Sequence, residues 1–365
     1  MSSPRPRARD LGVSIGELQP GPLNAIVDVP EVAVGHVSLV AGEGPLVSGQ
    51  GPVRTGVTAL LPHPGNLFTD RVCAAVEVIN GFGKSVGLPQ VTELGSLETP
   101  ILLTNTLSVW TAADALADFM AELNPGVRSF NPVVGECNDG ALNDILGRHV
   151  KPQHVRQALA AASRVSVQEG NVGAGVGMTG FGWKAGIGTA SRLLPGALDG
   201  YVLGSLVLTN TGSARDLRVD GVPVGRHLRP PAQPLPAGSI IIVLATDAPL
   251  DSRQLHRLAK RAAFGLARVG GIADHGSGDF VIAFSTGNRL SARGEQRLFA
   301  PALVPETELS SLFRATIETV EEAILNSLLR AETMVGRDAL KRLALPLDEL
   351  SAVLRTHGAA PTNGD

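Results

Sequence analysis

Apolar residues follow two patterns along this chain, one typical of buried strands and one typical of amphipathic helices. Four near-continuous apolar runs predict strands that are buried on both faces or lie in stacked sheets. They are "AVEVIN" (75–80), "YVLGSLVLTN" (201–210), "SIIIVLAT" (239–246) and "FVIAFST" (280–286). Three longer segments, 106–122, 250–269 and 307–332, repeat apolar positions every three or four residues and predict helices. Asp251 and Ser252 are candidate N-caps of the second helix. The chain therefore predicts a mixed α/β fold.

Composition narrows the classes of function. The 365 residues are 44% hydrophobic, enough for a sizeable core. Basic and acidic residues are interspersed and nearly balanced, with 31 of the first, 34 of the second and a net charge of −3. This balance argues against a nucleic-acid or anionic-membrane partner and favours a small molecule or a peptide.

The glycine and cysteine content and the N-terminal residues further restrict the class of protein. The chain has 43 glycines and only 4% aromatic residues, which indicates tight turns and close backbone approach. Cys73 and Cys137 are too few and too far apart for a disulfide framework, and no Cys/His spacing suits zinc. The N-terminus lacks an apolar signal region, and no run reaches about 18 apolar residues. We expect a cytoplasmic protein with no membrane segment.

The proline-rich stretch "RPPAQPLPAG" (229–238) is the one segment with linker composition. It ends directly before the apolar run that begins at Ser239, an unusual place for a domain boundary and a better one for a cleavage site. Ser239 is then either the first residue of a buried strand or a nucleophile. The residues alone favour the first interpretation, because serine is common where a turn leads into a strand.

Two other motifs were weighed as sites. The segment "GVGMTG" (175–180) matches a dinucleotide-binding pattern, but further glycines follow it where that fold needs a helix. Loops that bring chain segments close together explain it better. A Ser-His-Asp triad near His275 and Asp274 lacks the G-x-S-x-G turn of such enzymes, and a lone histidine in a turn is usually a satisfied polar residue.

Ten stretches, in order along residues 11 to 345, resemble the DmpA/BapA family of L-aminopeptidase D-Ala-esterase/amidases and β-peptidyl aminopeptidases. They are "VGHVSL" (34–39), "RTGVTALLP" (54–62), "NGFGKSVGL" (80–88), "LETPILLTNTLSV" (97–109), "VVGECNDGALND" (133–144), "EGNVGAGVGMTGFGWKAGIGTASR" (169–192), "GVPVGRHL" (221–228), "GSIIIVLATDAPL" (238–250), "HGSGDFVIAFSTGN" (275–288) and "NSLLRAETMVGRD" (326–338). The resemblance implies one αββα sandwich spanning residues 1–365, like that of N-terminal nucleophile hydrolases but differently connected.

The resemblance reverses the interpretation of Ser239. It implies that the precursor cuts itself between Gly238 and Ser239 into an α chain, 1–238, and a β chain, 239–365, that stay together. Cleavage would free an α-amino group on the nucleophile itself. Such an amine titrates at about 7.7–8.0, so part of it is neutral and can act as the base that a serine hydroxyl needs.

The family's other roles fall on four residues. Asn210 matches the asparagine that stabilises the oxyanion, and Glu136 matches the carboxylate that binds the substrate's free ammonium group. Ser277 and Asp279 match the serine and acid that orient the nucleophile and its amine, although some relatives have Glu in place of Asp279. Relatives can have a tyrosine near the Glu136 motif, but the only tyrosine of this chain is Tyr201, so the role of that phenol is either missing or filled by Asn138 or Ala141.

These residues and the resemblance leave three alternatives for the function. The favoured one is a self-processing serine aminopeptidase acting on a peptide or an amino-acid amide or ester, with no cofactor or metal, assembled as a homotetramer of αβ units. The second is acyl transfer of the ornithine acetyltransferase type, which uses threonine where this chain has Ser239. The third is an inert homologue, which would require loss of Ser239, Asn210 or Ser277.

Overall fold

The computed structural model describes residues 4–231, 238–291 and 300–359. The helices are α1 (Leu88–Leu94), α2 (Val109–Leu123), α3 (Pro152–Ala160), α4 (Ser252–Val269), α5 (Leu309–Leu329) and α6 (Leu347–Thr356). The strands are β1 (Ala33–Ala41), β2 (Val53–Leu61), β3 (Asp70–Gly81), β4 (Ser96–Leu97), β5 (Ile101–Asn105), β6 (Val133–Cys137), β7 (Thr179–Gly180), β8 (Trp183–Lys184), β9 (Ile187–Leu193), β10 (Val202–Asn210), β11 (Ser239–Thr246), β12 (Gly278–Ser291), β13 (Met334–Val335) and β14 (Lys341–Arg342). The predicted strands and helices are all present.

Two sheets carry most of the strands. The larger sheet has the order β4-β3-β12-β11-β10-β9, and the smaller sheet has the order β1-β2-β5-β6. In the larger sheet β11 and β12 are parallel neighbours, whereas β10 and β3 pair with them antiparallel on either side. The strands β11 and β12 therefore lie at the centre of this sheet.

Three apolar layers hold four layers of secondary structure together. The first lies between α4, α5 and the larger sheet, the second between the two sheets, and the third between the smaller sheet and helices α2 and α3. Representative pairs, in that order, are Leu258 and Leu325, Ile241 and Leu103, and Leu102 and Leu116. The predicted αββα sandwich is confirmed.

Strand β11 shows why its sequence is apolar throughout. Side chains of a strand alternate between its two faces. Ile240, Ile242 and Leu244 belong to the layer that contains the helices. Ile241 and Val243 belong to the layer between the sheets. Because both faces are covered, the usual alternation of apolar and polar residues disappears.

Helix α4 begins and ends as its sequence predicts. Asp251 is the N-cap, and its carboxylate accepts a hydrogen bond from the Gln254 N–H at 2.7 Å. Gly270 ends the helix with a φ of 100°, a left-handed conformation that suits glycine. Of the two N-cap candidates, Asp251 therefore takes the role.

The glycine-rich segment brings chain segments together, as predicted. A Cβ placed on Gly186 would lie 1.9 Å from the Gly170 carbonyl oxygen, and one on Gly177 would lie 2.3 Å from that of Arg54. The short strand β7 is formed by the last two residues of the "GVGMTG" motif, and β8 follows it, where a dinucleotide fold needs a helix. These glycines serve close packing of the backbone.

Of the proline-rich stretch 229–238, residues 232–237 lie outside the described residues. In the parts of the chain that are described, no helix is both long and apolar enough to cross a membrane.

Candidate active site

Ser239 lies where three strand ends of the larger sheet meet. It is the first residue of β11, opposite Asn210, the last residue of β10, and opposite Gly278, the first residue of β12. The predicted residues Ser277 and Asp279 flank Gly278 along the chain. The register of the sheet therefore brings these predicted residues together.

Ser239 is 6% exposed, and its hydroxyl is held at two points. It donates a hydrogen bond to the Gly238 carbonyl oxygen at 2.7 Å and accepts one from the Gly278 N–H at 3.2 Å. A Cβ placed on Gly238 would lie 2.8 Å from the Thr211 Cα and 3.0 Å from the Asn210 carbonyl oxygen. The position before Ser239 therefore has no room for a larger residue unless the backbone shifts.

The Asn210 side chain is buried and oriented by its neighbours. Its Oδ1 accepts a hydrogen bond from the Thr179 N–H at 2.9 Å, and its Nδ2 donates one to the Asn138 carbonyl oxygen at 3.0 Å. An amide NH₂ group has two N–H donors. The second donor is the one that a developing negative charge beside Ser239 can use.

Asp279 holds the peptide that follows the nucleophile. Its Oδ1 accepts hydrogen bonds from the Ser277 hydroxyl at 2.5 Å and from the Ile240 N–H at 3.1 Å. Burial raises the pKa of this carboxyl group, and the two hydrogen bonds act in the opposite direction. Its Oδ2 is buried with no hydrogen-bond partner among the described residues. The Ser239 hydroxyl itself bonds to Gly238 and Gly278 rather than to this pair.

Glu136 is supplied by the other sheet. It lies in β6, which runs parallel to β5, and is 2% exposed. Its Oε1 accepts a hydrogen bond from the Lys84 N–H at 2.7 Å, and its Oε2 accepts one from the hydroxyl of Thr106, which follows β5. A carboxylate has about four lone-pair sites, so it can accept further hydrogen bonds. The geometry leaves Glu136 able to bind a cation.

One cavity of about 140 Å³ joins these groups. It is lined by Phe82, Lys84, Thr106, Glu136, Asn138, Ser239 and Gly276. Ser239 and Glu136 therefore open into the same space, from two different sheets. A larger cavity of about 770 Å³, lined in part by Arg215, Arg226 and Arg342, contains none of the predicted site residues.

Several groups that build the site were not predicted from the sequence. Three are backbone N–H donors, those of Lys84, Thr179 and Gly278, and an N–H group has no signature in a sequence. The hydroxyl of Thr106 had one available signal, since it comes directly after the apolar run of β5 and next to Asn105. A polar residue at the end of a buried strand often marks a site.

The structure also places the residues weighed as alternatives. Asn138 lines the cavity, so it occupies part of the space considered for the missing phenol. Tyr201 precedes β10, at the opposite end of that strand from Asn210. His275 is exposed, and its ring centroid lies 6.1 Å from that of Phe82.

This chain is similar over most of its length to a known family of peptidases. The sequence model of Peptidase family S58 matches residues 24–342. A β-peptidyl aminopeptidase, BapA of Sphingosinicella microcystinivorans, is 43% identical, and the alignment covers 98% of this chain and 93% of that protein. The solved structure of the L-aminopeptidase D-Ala-esterase/amidase of Ochrobactrum anthropi is 38% identical, with a TM-score of 0.92 over 98% of this chain and 100% of that one.

Two further solved structures are similar over nearly the whole chain. The PH0078 protein of Pyrococcus horikoshii is 51% identical, with a TM-score of 0.92 and coverage of 97% of this chain and 99% of that one. A β-aminopeptidase of Burkholderia sp. is 43% identical, with a TM-score of 0.91 and coverage of 98% and 100%.

Fold, strand-end serine and buried carboxylate thus define an aminopeptidase of the N-terminal nucleophile hydrolase type. The chain belongs to Peptidase family S58. The predicted resemblance is confirmed. The relatives named as aminopeptidases do not favour the acyl-transfer alternative.

Proposed function

We propose that this chain is the precursor of a self-processing serine aminopeptidase, cut between Gly238 and Ser239, in which the freed Ser239 removes N-terminal residues from peptides. The observation that carries this proposal is the shared cavity. Ser239 and Glu136 line it together, so a nucleophile and an anchor for a free amino group lie within one small space.

Self-cleavage begins from the contact between Ser239 and the residue before it. The hydroxyl oxygen attacks the Gly238 carbonyl carbon, the C–N bond to Ser239 breaks, and the leaving nitrogen takes the hydroxyl proton. This gives an ester and a free amine. Water then hydrolyses the ester, leaving a carboxylate on Gly238 and restoring the Ser239 hydroxyl. The 2.7 Å separation between the Ser239 hydroxyl and the Gly238 carbonyl oxygen supports the first step.

Substrate turnover uses the same atoms with a new base. The freed amine of Ser239 takes the hydroxyl proton as the oxygen attacks the substrate carbonyl, and later gives it to the leaving amine. Asn210 donates its unused N–H to the oxyanion, an interaction worth about 10²–10³ in rate in other enzymes. The acyl-enzyme ester is finally cleaved by water. Ser277 and Asp279 orient the start of the new chain.

Glu136 gives the enzyme its requirement for a free amino terminus. Its two oxygens are fixed by Lys84 and Thr106, so the carboxylate is already oriented when a substrate arrives. Binding of an α-ammonium group at this point accounts for exopeptidase action, because only the first residue of a peptide has a free α-amino group.

The relatives suggest the range of substrates. Two BapA proteins are named β-peptidyl aminopeptidases, and the Ochrobactrum anthropi enzyme is named for action on L-amino acids and on D-Ala esters and amides. We therefore propose that short peptides, amides and esters with a free amino group are substrates here.

The proposed assembly is a homotetramer of αβ units. Phe264 and Ile272 support it, because these large apolar side chains are 58% and 70% exposed near the end of α4. Large exposed apolar side chains favour burial between subunits.

Turnover of an amino-acid p-nitroanilide by the wild type and by Ser239→Ala tests the chemistry. We expect release of p-nitroaniline by the wild type only, and little turnover of the N-acetylated substrate. An added amine or amino acid should not be required. Equal turnover of free and N-acetylated substrates would remove the aminopeptidase assignment of this site, and full activity of Ser239→Ala would remove its nucleophile.

A further inference from the structure

Lys84 places a positive charge at the cavity that holds Glu136. It lies in the loop between β3 and α1, lines the cavity with Glu136 and Ser239, and its side chain is exposed. Its ammonium group lies 4.4 Å from the centre of the Phe82 ring. Among the described residues, no carboxylate lies within ion-pair distance of that ammonium group. The cavity thus has a buried anion and an exposed cation.

The distance between these charges is limited by a backbone contact. The Lys84 N–H donates to the Glu136 Oε1 at 2.7 Å, so the lysine side chain starts directly beside the carboxylate. Its flexible four-carbon stem carries the ammonium group away from that point. The cation is therefore confined to a zone within one lysine side-chain length of the anchor for the substrate's amino group.

A dipeptide matches that spacing. A chain extends by at most about 3.3–3.6 Å per residue, so the amino and carboxyl ends of a dipeptide are about 7 Å apart or less. Each further residue moves the carboxylate away by about another 3.3 Å. With its ammonium group on Glu136, an extended dipeptide has its carboxylate within reach of Lys84, whereas a longer extended peptide carries its carboxylate farther away.

We propose that Lys84 pairs with the free C-terminal carboxylate of the substrate, so that dipeptides with a free carboxylate are the preferred substrate class. The inference rests on the proposed function, because it requires the substrate's amino group to lie on Glu136. Phe82 supports the arrangement by holding the ammonium group at the mouth of the cavity through a cation–π contact.

The expected preference for a dipeptide with a free carboxylate over its amide is modest, because the ion pair is exposed to water. Exposed pairs of this kind correspond to ratios of up to about 5-fold. Salt screens such a pair, so the preference should shrink as ionic strength rises.

The test compares kcat/KM for a dipeptide ending in glycine with kcat/KM for its C-terminal amide, measured with the mature enzyme. The ratio of acid to amide is taken within each variant, so a general loss of activity cancels. We expect a ratio of about 3 to 5 for the wild type. Lys84→Met keeps most of the side-chain stem and should bring the acid-to-amide ratio to about 1. Lys84→Glu should bring this ratio below 1, and Lys84→Arg should preserve the wild-type ratio.

Two controls complete the design. Lys260→Met removes an exposed lysine from α4, in the outer layer, and should leave the ratio unchanged. A tripeptide and its amide should show a ratio near 1 in the wild type. An unchanged ratio in Lys84→Met would overturn the inference while leaving the aminopeptidase proposal intact. Failure of the wild type to cleave either dipeptide form would instead contradict the proposed function.

Discussion

At the scale of single residues, Glu136 is a buried carboxylate that accepts hydrogen bonds from Lys84 and Thr106 and still has lone pairs for further donors. A charge-assisted hydrogen bond to an ammonium group contributes about 1.5–3 kcal/mol. Ser239 lies across the cavity, and its contact with Gly238 does not involve the carboxylate. Recognition of the amino group and cleavage of the chain are therefore separable.

Glu136→Gln should lower kcat/KM for a free aminoacyl substrate by about 10- to 100-fold and leave self-cleavage nearly unchanged. Glutamine keeps the shape and loses the charge that the ammonium group needs. Steady-state kinetics and a gel of the purified protein measure the two effects. A variant that remains as active as the wild type would show that the amino group binds elsewhere.

Asp139, next to Asn138 in sequence, is a second buried carboxylate, with no direct role in the proposed reaction. It is fully buried, and its Oδ1 accepts a hydrogen bond from the Asn143 Nδ2 at 3.0 Å. Burial raises its pKa to about 7, although hydrogen bonds to its polar neighbours act against that shift. The folded protein therefore holds this proton to a higher pH than the unfolded chain does.

A carboxyl group whose pKa is raised on folding reduces stability as the pH increases from the unfolded value, 3.8, through the folded value, about 7. Asp139→Asn keeps an acceptor for Asn143 and removes the ionisation. We expect the free energy of unfolding of the variant minus that of the wild type to be larger at pH 8 than at pH 5, by at least about 1.4 kcal/mol. Urea unfolding at both pH values measures this difference. If the variant and the wild type differ by the same free energy at pH 5 and at pH 8, Asp139 is ionised over that whole pH range.

At the scale of elements, the ends of β10, β11 and β12 form the nucleophile's half of the site. These strands could be predicted because apolar layers cover both of their faces, which gives long runs such as "SIIIVLAT". The smaller sheet could not be recognised in the same way. Strand β6 is short, and its five residues include Gly135 and Glu136, so the proposed substrate-binding residue also interrupts the apolar pattern.

The sequence pattern does not predict that the two halves of the site, with Glu136 in one and Ser239 in the other, lie together. Glu136 and Ser239 are about a hundred positions apart and belong to different sheets, and only the packing of those sheets places them on one cavity. The family resemblance predicts the role of each side chain. The backbone N–H donors that support those side chains can be seen only in the structure. Strand register explains the grouping of Ser239 with Asn210 and Gly278.

Gly238→Ala tests the turn into β11. The added Cβ would lie 2.8 Å from the Thr211 Cα, so the chain must shift and the scissile carbonyl with it. Small displacements of reacting groups reduce rates strongly, and we expect self-cleavage to slow by about 10- to 100-fold. The proportion of uncut chain over time measures the effect. As a control, the thermal unfolding of uncut Gly238→Ala is compared with that of Ser239→Ala. Cleavage at the wild-type rate would mean that the backbone tolerates the methyl group.

At the scale of the whole molecule, the sheet order explains how two chains would remain together after cleavage. Strands β11 and β12, which would belong to the β chain, lie between β10 and β3, which would belong to the α chain, in the larger sheet. Separating the chains would break both of these pairings and expose the apolar layers on both sides of the sheet. The two chains should therefore co-elute without denaturant.

Light scattering of the native protein tests the proposed assembly. Four units of 37.8 kDa should give a particle of about 150 kDa, with the closed symmetry typical of homo-oligomers. A mass equal to one unit would contradict the tetramer and leave the chemistry unaffected.

The most direct test of the central claim is the intact mass of freshly purified, active enzyme, combined with N-terminal sequencing. Division of 37.8 kDa in proportion to length predicts chains of roughly 25 and 13 kDa, the smaller beginning Ser-Ile-Ile at Ser239. Ser239→Ala should give one uncut, inactive chain. A wild-type enzyme that is fully active as a single uncut chain would contradict the account, because its nucleophile would have no free amine to act as base.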